Sequence, residues 1–147
     1  MVFNVRVYGL LINNKGHILV SDEFIHGRRI TKFPGGGLEF GEGTIDALKR
    51  EMLEETETEV EIIEHFYTTD FFQASAFNPQ SQVISIYYLI KALKKLNFHT
   101  SEKPFDFEEI NEGAISFRWL PLSSLSEEDF TFPIDKRVAG LMRKKLL

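Results

Sequence analysis

Between Phe33 and Thr58 a Pro-Gly-Gly-Gly bend runs directly into one helical segment, FPGGGLEFGEGTIDALKREMLEETET, and this stretch limits what the chain can fold into more than any other. Pro34 and the Gly35-Gly36-Gly37 run end any strand before them, and the backbone freedom of glycine suits a tight bend or close approach to a ligand. Thr44 is the predicted N-cap, Asp46 falls in the first turn where the helix dipole favours an anion, and Ile45, Leu48 and Met52 recur at helical spacing. At about 100° per residue these three form one apolar stripe, while Glu51, Glu54 and Glu55 project together from the adjoining flank. Glu51 and Glu55 are a like-charge i, i+4 pair, which costs a helix about 0.2 to 0.5 kcal/mol. A hard divalent cation prefers carboxylate and carbonyl oxygens and turns such repulsion into binding. An ordinary solvated acidic face is the alternative reading of the same residues.

Charge elsewhere is almost balanced. Residues 42–61 carry eight acids against Lys49 and Arg50, so this segment holds the whole of the net charge of -5. The modest acidity argues against a nucleic-acid binder held by a basic surface. The 147 residues, 43% of them hydrophobic and 27% charged, are those of an ordinary globular chain, and we expect a single domain over 1–147. Without cysteine there is no disulfide framework, thiolate metal site or cysteine nucleophile. Phe71 to Ile90 has the length of a membrane span, but Gln73, Asn78, Pro79, Gln80 and Gln82 exclude that. Arg6 interrupts the first apolar run, so the N-terminus reads poorly as a signal peptide, and a cytoplasmic protein away from membranes is expected.

Val2 to Ile12 and His17 to Phe24 read as strands, and Asn13-Asn14-Lys15-Gly16 between them predicts a hairpin. Arg28 to Phe33 reads as a further short strand. Glu59 to Tyr67 and Gln82 to Ala92 follow, the second apolar enough to be central in a sheet. Lys94 to Glu112 reads as loop, Ala114 to Leu120 as the last strand, and Asp135 to Leu147 as an amphipathic helix with Val138, Leu141 and Met142 inward.

Gly36, Glu42, Arg50, Glu51, Met52, Glu54 and Glu55 stand at the spacing of a known box: a glycine, five residues, a glutamate, seven residues, then Arg-Glu-hydrophobic-any-Glu-Glu-any-Gly-hydrophobic. In these residues, in Phe33-Pro34-Gly35 before them, and in the late Trp119-Leu120-Pro121 with a helix after it, the chain resembles the Nudix hydrolase (MutT-like) family. The resemblance implies an α+β fold, an α/β/α sandwich with a mixed β-sheet between helices and the box as a loop-helix-loop. Glu57 and Thr58 depart from the pattern, standing where the family has glycine and a hydrophobic residue. A left-handed glycine normally closes the box helix, and that conformation costs another residue about 1 to 2 kcal/mol, so the helix is expected to continue past Glu57.

The same resemblance implies a metal-dependent hydrolase of a nucleoside diphosphate linked to another group, a nucleoside triphosphate, nucleotide sugar or ADP-ribose. Glu51, Glu54 and Glu55 would ligate Mg²⁺ or Mn²⁺, the Gly35 carbonyl would add an oxygen, and Arg50 would orient the glutamates. Members differ in which carboxylate takes the proton of water; outside the box Glu112 is the first candidate here, then Glu109 and Glu108. Glu42 either touches metal or holds the shape of its loop. Arg28, Arg29 and Lys32 are candidate phosphate contacts, and Phe72, with Phe71 and Phe77 nearby, a candidate platform for a planar group. No proline or tyrosine at Gln73 to Ala76 marks the ADP-ribose or dinucleoside polyphosphate branches, and the absence of cysteine disfavours the isopentenyl diphosphate isomerase branch. Family habit and apolar N-terminal strands point to a homodimer. The rival reading is a nucleotide-sensing Nudix-like domain without catalysis, against which the intact acidic residues count.

Overall fold

Ten residues from Val2 to Leu11 form the first strand, and its partners set the first of two sheets. The computed structural model describes residues 1–146 as β1 (Val2–Leu11), β2 (His17–Ile25), β3 (Arg28–Lys32), β4 (Gly35–Gly37), α1 (Thr44–Thr56), β5 (Val60–Thr68), β6 (Ser81–Ala92), β7 (Thr100–Ser101), β8 (Ile115–Pro121) and α2 (Pro133–Leu146). Two single-turn 3₁₀ helices, Leu122–Ser124 and Glu127–Asp129, precede α2. The chain divides into two units, one of residues 1–11 and 34–98, the other of 12–33 and 99 onward.

In the first unit the strand order is β4-β1-β6-β5. β1 runs parallel to β6 from the Val2–Ser81 pair to Leu11–Ile90, while β4 and β5 are antiparallel to their neighbours. The apolar run of β6 places it inside this sheet, between β1 and β5. Helix α1 packs on the sheet through Ala47, Leu48 and Met52, all fully buried, and Leu48 and Met52 each contribute roughly 1.5 to 3 kcal/mol. Gly9 makes the close approach possible: a Cβ there would run into Ile90 and meet Leu48 at 3.5 Å.

The second unit orders its strands β3-β2-β8-β7, with β7 parallel to β8 and the other pairs antiparallel. Asp22 on β2 is fully buried and accepts four hydrogen bonds: Arg118 Nε at 2.6 Å, Arg118 Nη2 at 3.1 Å, Thr31 Oγ1 at 2.7 Å and the Phe105 N–H at 3.1 Å. A buried carboxylate survives only with such compensation, and here it joins three strands to the loop before β8. Phe33 stacks on Phe130 with centroids 4.4 Å apart, and α2 buries Ile134, Val138, Ala139 and Met142. Leu141, expected inward, is only half-buried.

Three expectations fail in instructive ways. β1 and β2 form no hairpin ladder. Asn13 does reverse the chain, its side chain accepting from the Lys15 and His17 N–H groups, but only Ile12 bridges Ile18. β1 is buried from Val7 to Leu11 and takes β4 and β6 as neighbours on its two sides, which leaves no side for β2. At the start of α1 the cap is Gly43, without a side-chain bond, because the Thr44 hydroxyl instead pairs with the Tyr88 hydroxyl at 2.6 Å. Ile45 is accordingly 41% exposed, and Ala47 takes the inward position.

The third failure is at the other end of the helix. It does not continue past Glu57: Thr56 is its last residue, and Glu57 itself takes the left-handed conformation, φ 54° and ψ 26°, with its N–H on Leu53 O at 2.9 Å. Two threonines hold this ending. Thr56 Oγ1 donates to Met52 O at 2.6 Å and Thr58 Oγ1 to Thr56 O at 3.0 Å, while burial of Thr58 and Val60 draws the chain into β5. Because the geometry persists without glycine, Glu57→Gly is expected to raise unfolding stability by about 0.5 to 1 kcal/mol in urea titrations, and Glu57→Ala to give no gain. A loss with Glu57→Gly would mean that the glutamate side chain contributes more than its backbone costs.

Candidate functional site

Strand β4 and the flank of α1 meet at Arg50, and the guanidinium saturates there. Nε and Nη2 donate to the two oxygens of Glu42 at 2.6 and 2.9 Å, Nη2 also to the Gly37 carbonyl at 3.1 Å, and Nη1 to Glu51 at 3.1 Å and Glu54 at 3.2 Å. All five N–H donors of the fork are thereby used. Glu39 adds a looser contact at 4.0 Å. Glu42 holds the loop: its carboxylate also accepts the Glu39 N–H at 3.0 Å, closing the residues before the helix onto themselves. The hydrogen bond from Arg50 pulls the Glu42 pKa down from 4.5 to about 2, and Glu42 in turn raises that of Arg50.

Glu51 lies against the bend. A Cβ on Gly36 would sit 2.6 Å from its carboxylate, so the acid occupies the space any other residue would need for a side chain. Gly35, buried and paired with Tyr8, has φ 147° and its own missing Cβ is blocked by Val7 O and Tyr8. Arg6 covers the strand from beside Gly37 and donates from Nε to the Tyr8 hydroxyl at 2.6 Å. The Glu51 side chain is 14% exposed and that of Glu54 60%, while one carboxylate oxygen of Glu55 is shut off from solvent.

The structure thus brings Gly35, Arg50, Glu51, Glu54 and Glu55 into one unit. Phe72 belongs to the same unit and is 64% exposed, in the segment between β5 and β6. Arg28, Arg29 and Glu112 belong to the other unit and are exposed; the Glu112 carboxylate accepts the His26 N–H. Lys32 is buried instead, paired with Glu23 at 3.0 Å, which also takes the Ser21 hydroxyl at 2.7 Å. The Thr44–Tyr88 link, which ties the start of α1 to β6, had no signature in the sequence beyond a hydroxyl at each place.

Oxygen donors of this kind fit a hard divalent cation: three acceptor-only carboxylates on one turn, with the seat of Glu51 cut by the missing Gly36 side chain. Among the described residues no three His, Asp or Glu side chains converge closely enough to hold an ion as they stand. Glu51 and Glu54 are turned onto Arg50, whose positive charge answers theirs.

Two mixed sheets with two α-helices among the described residues, and a loop-helix box of carboxylates gathered by an arginine, define an α+β fold. Residues 2–140 match the NUDIX domain, and the chain belongs to that family, whose members usually use divalent metals. Solved structures agree in fold. A NUDIX hydrolase from Nitrosomonas europaea shares 19% identity at a TM-score of 0.70, over 96% of this chain and 88% of that one. A MutT protein from Methanosarcina mazei Go1 shares 18% at 0.70, over 97% and 94%. A MutT NUDIX hydrolase from Burkholderia pseudomallei shares 17% at 0.69, over 96% and 97%. No curated protein sequence matches the chain. Among the described residues no helix is long and apolar enough to cross a membrane.

The lowered pKa of Glu42 has a definite consequence for acid stability. Its folded-state value lies below the unfolded one, so its contribution is complete above 4.5 and is lost as pH falls toward 2. Thermal unfolding should show Glu42→Gln less stable than the parent at pH 7, with the gap closing across that window. A gap that is independent of pH would show that the ion pair is not its source.

Proposed function

We propose that this chain is a metal-dependent hydrolase that cleaves the diphosphate linkage of a nucleoside diphosphate joined to another group. The products would be a nucleoside monophosphate and a phosphorylated compound or pyrophosphate. The single observation that carries the reading is the seating of Glu51 on Gly36 while Arg50 gathers Glu51, Glu54 and Glu42 around the same bend. A side-chain-free backbone and a carboxylate cluster at one place suit a cation and the phosphates it accompanies.

In this reading Glu51, Glu54 and Glu55 hold Mg²⁺ or Mn²⁺, with the Gly35 carbonyl as a further oxygen donor. The cation, when bound, would draw charge from the pyrophosphate oxygens and lower the pKa of water. Arg50 holds Glu51 and Glu54, and Glu42 keeps Arg50 in place by taking two of its donors. Water adds to one phosphorus, the bridging P–O bond breaks, and a carboxylate accepts the proton of the water, from the box or from the loop that carries Glu108 and Glu109. Arg28 and Arg29 offer guanidinium forks to phosphate, and exposed Phe72 an aromatic face to a planar group.

The test is nucleotide or phosphate release from nucleoside triphosphates, nucleotide sugars, ADP-ribose and dinucleoside polyphosphates, with Mg²⁺ or Mn²⁺ and with chelator. One class should be cleaved only with metal, and Glu55→Gln should lower that rate by about a hundredfold or more. Gly36→Ala should leave thermal unfolding nearly unchanged, since the flexible end of Glu51 can retreat, yet weaken Mn²⁺ binding about tenfold. Saturable binding of one compound with no turnover of any would replace the hydrolase by a sensor.

A further inference from the structure

Glu112 sits in the loop leading into β8, and both of its carboxylate oxygens share one backbone donor, the His26 N–H, at 2.9 and 3.0 Å. His26 and Gly27 are the two residues of the β2–β3 turn, closed by the Ile25–Arg28 pair. Their φ values of 50° and 73° are both positive, the signature of a type I′ turn, which asparagine followed by glycine suits best and histidine less well. In such a turn the ladder bonds belong to the flanking pair, so the His26 N–H points away from β3. The loop reaches it because it has already zipped onto the end of β2: Gly113 N–H donates to Phe24 O and Phe24 N–H to Ala114 O, both at 2.9 Å.

Directly after the turn come Arg28 and Arg29, both exposed. We propose that Glu112 is a positioning residue, which fixes the β2–β3 turn and through it Arg28 and Arg29 for an anionic group such as pyrophosphate, and that it is not the proton acceptor of the reaction. A carboxylate that takes a proton in each turnover would weaken, in each turnover, the bond that holds an unfavourable turn. Glu108 and Glu109 lie on the same loop and are exposed. The assignment rests on the hydrolase reading for its substrate, but its structural half does not.

Glu112→Gln, Glu112→Ala, and Glu112→Ala combined with His26→Asn separate the two roles. Two readouts are needed: calorimetric binding of inorganic pyrophosphate, and kcat, KM and the pH profile on whichever of GTP, UDP-glucose or ADP-ribose is cleaved. Glu112→Gln keeps an oxygen acceptor for His26, so kcat and the pH profile should stay within about threefold of the parent. Glu112→Ala should raise KM and the pyrophosphate Kd about tenfold, the loss of one well-placed charge-assisted contact, with kcat far less affected. Adding His26→Asn should restore both, because the turn then holds its shape without help. A hundredfold fall in kcat for Glu112→Gln with pyrophosphate binding intact would make Glu112 the base and overturn the proposal. Unchanged pyrophosphate binding in Glu112→Ala would overturn it equally. If no compound is cleaved but pyrophosphate binding follows the predicted order, the hydrolase reading fails and the positioning role stands.

Discussion

Five hydrogen bonds from one guanidinium tie the box of this chain together. Residues 42–61 gather eight acids, and without a central cation Glu42, Glu51 and Glu54 would push the loop and the helix apart. Arg50 answers three of them at once and adds the Gly37 carbonyl, so that strand β4, the loop after it and α1 meet at a single planar group. Lysine cannot replace this arrangement, because a point charge with three donors has no fork to match the two oxygens of Glu42. The missing side chain of Gly36 is the steric counterpart: the fork aims Glu51 and the glycine leaves it room. The lowered pKa of Glu42 belongs to the same structure, since its proton competes directly with two of the five bonds.

Much of this was legible in the residues. The spacing from Gly36 to Glu55 gave the bend, the helix and the shared flank of glutamates, because a rigid 3.6-residue period turns sequence separation into direction. β6 was legible as an interior strand from its apolar run, and β3 from the turn chemistry that ends it. Partnership was not. Asn13 to Gly16 announced a reversal, but a turn says only that the chain changes direction, and the identity of the neighbouring strand depends on β6, far along the sequence. Local caps misled for the same reason. Thr44 is a good N-cap by type, yet a hydroxyl from Tyr88 on another element claimed it. The buried Lys32 and Asp22 looked like any charged strand residues until Glu23, Arg118 and Thr31 were placed around them.

Glu57, His26 and Phe105 make the general point about positions where sequence preference loses. Among the described residues they are the non-glycine positions with positive φ, at 54°, 50° and 54°. Each bears a cost of about 1 to 2 kcal/mol that glycine would avoid. In each case the N–H of the strained residue meets an acceptor: Leu53 O in the last turn of α1, the Glu112 carboxylate, and the buried Asp22, the first and last of which are held by other contacts as well. A hydrogen bond nets about 0.5 to 1.5 kcal/mol, and more when the acceptor is charged and sheltered, so the two quantities are of similar size. The strain is therefore affordable wherever the acceptor is held independently, as Asp22 is by Arg118 and Thr31. That is why the helix could end at Thr56 without its glycine: the penalty at Glu57 is local, whereas the pull of buried Thr58 and Val60 into β5 comes from the sheet.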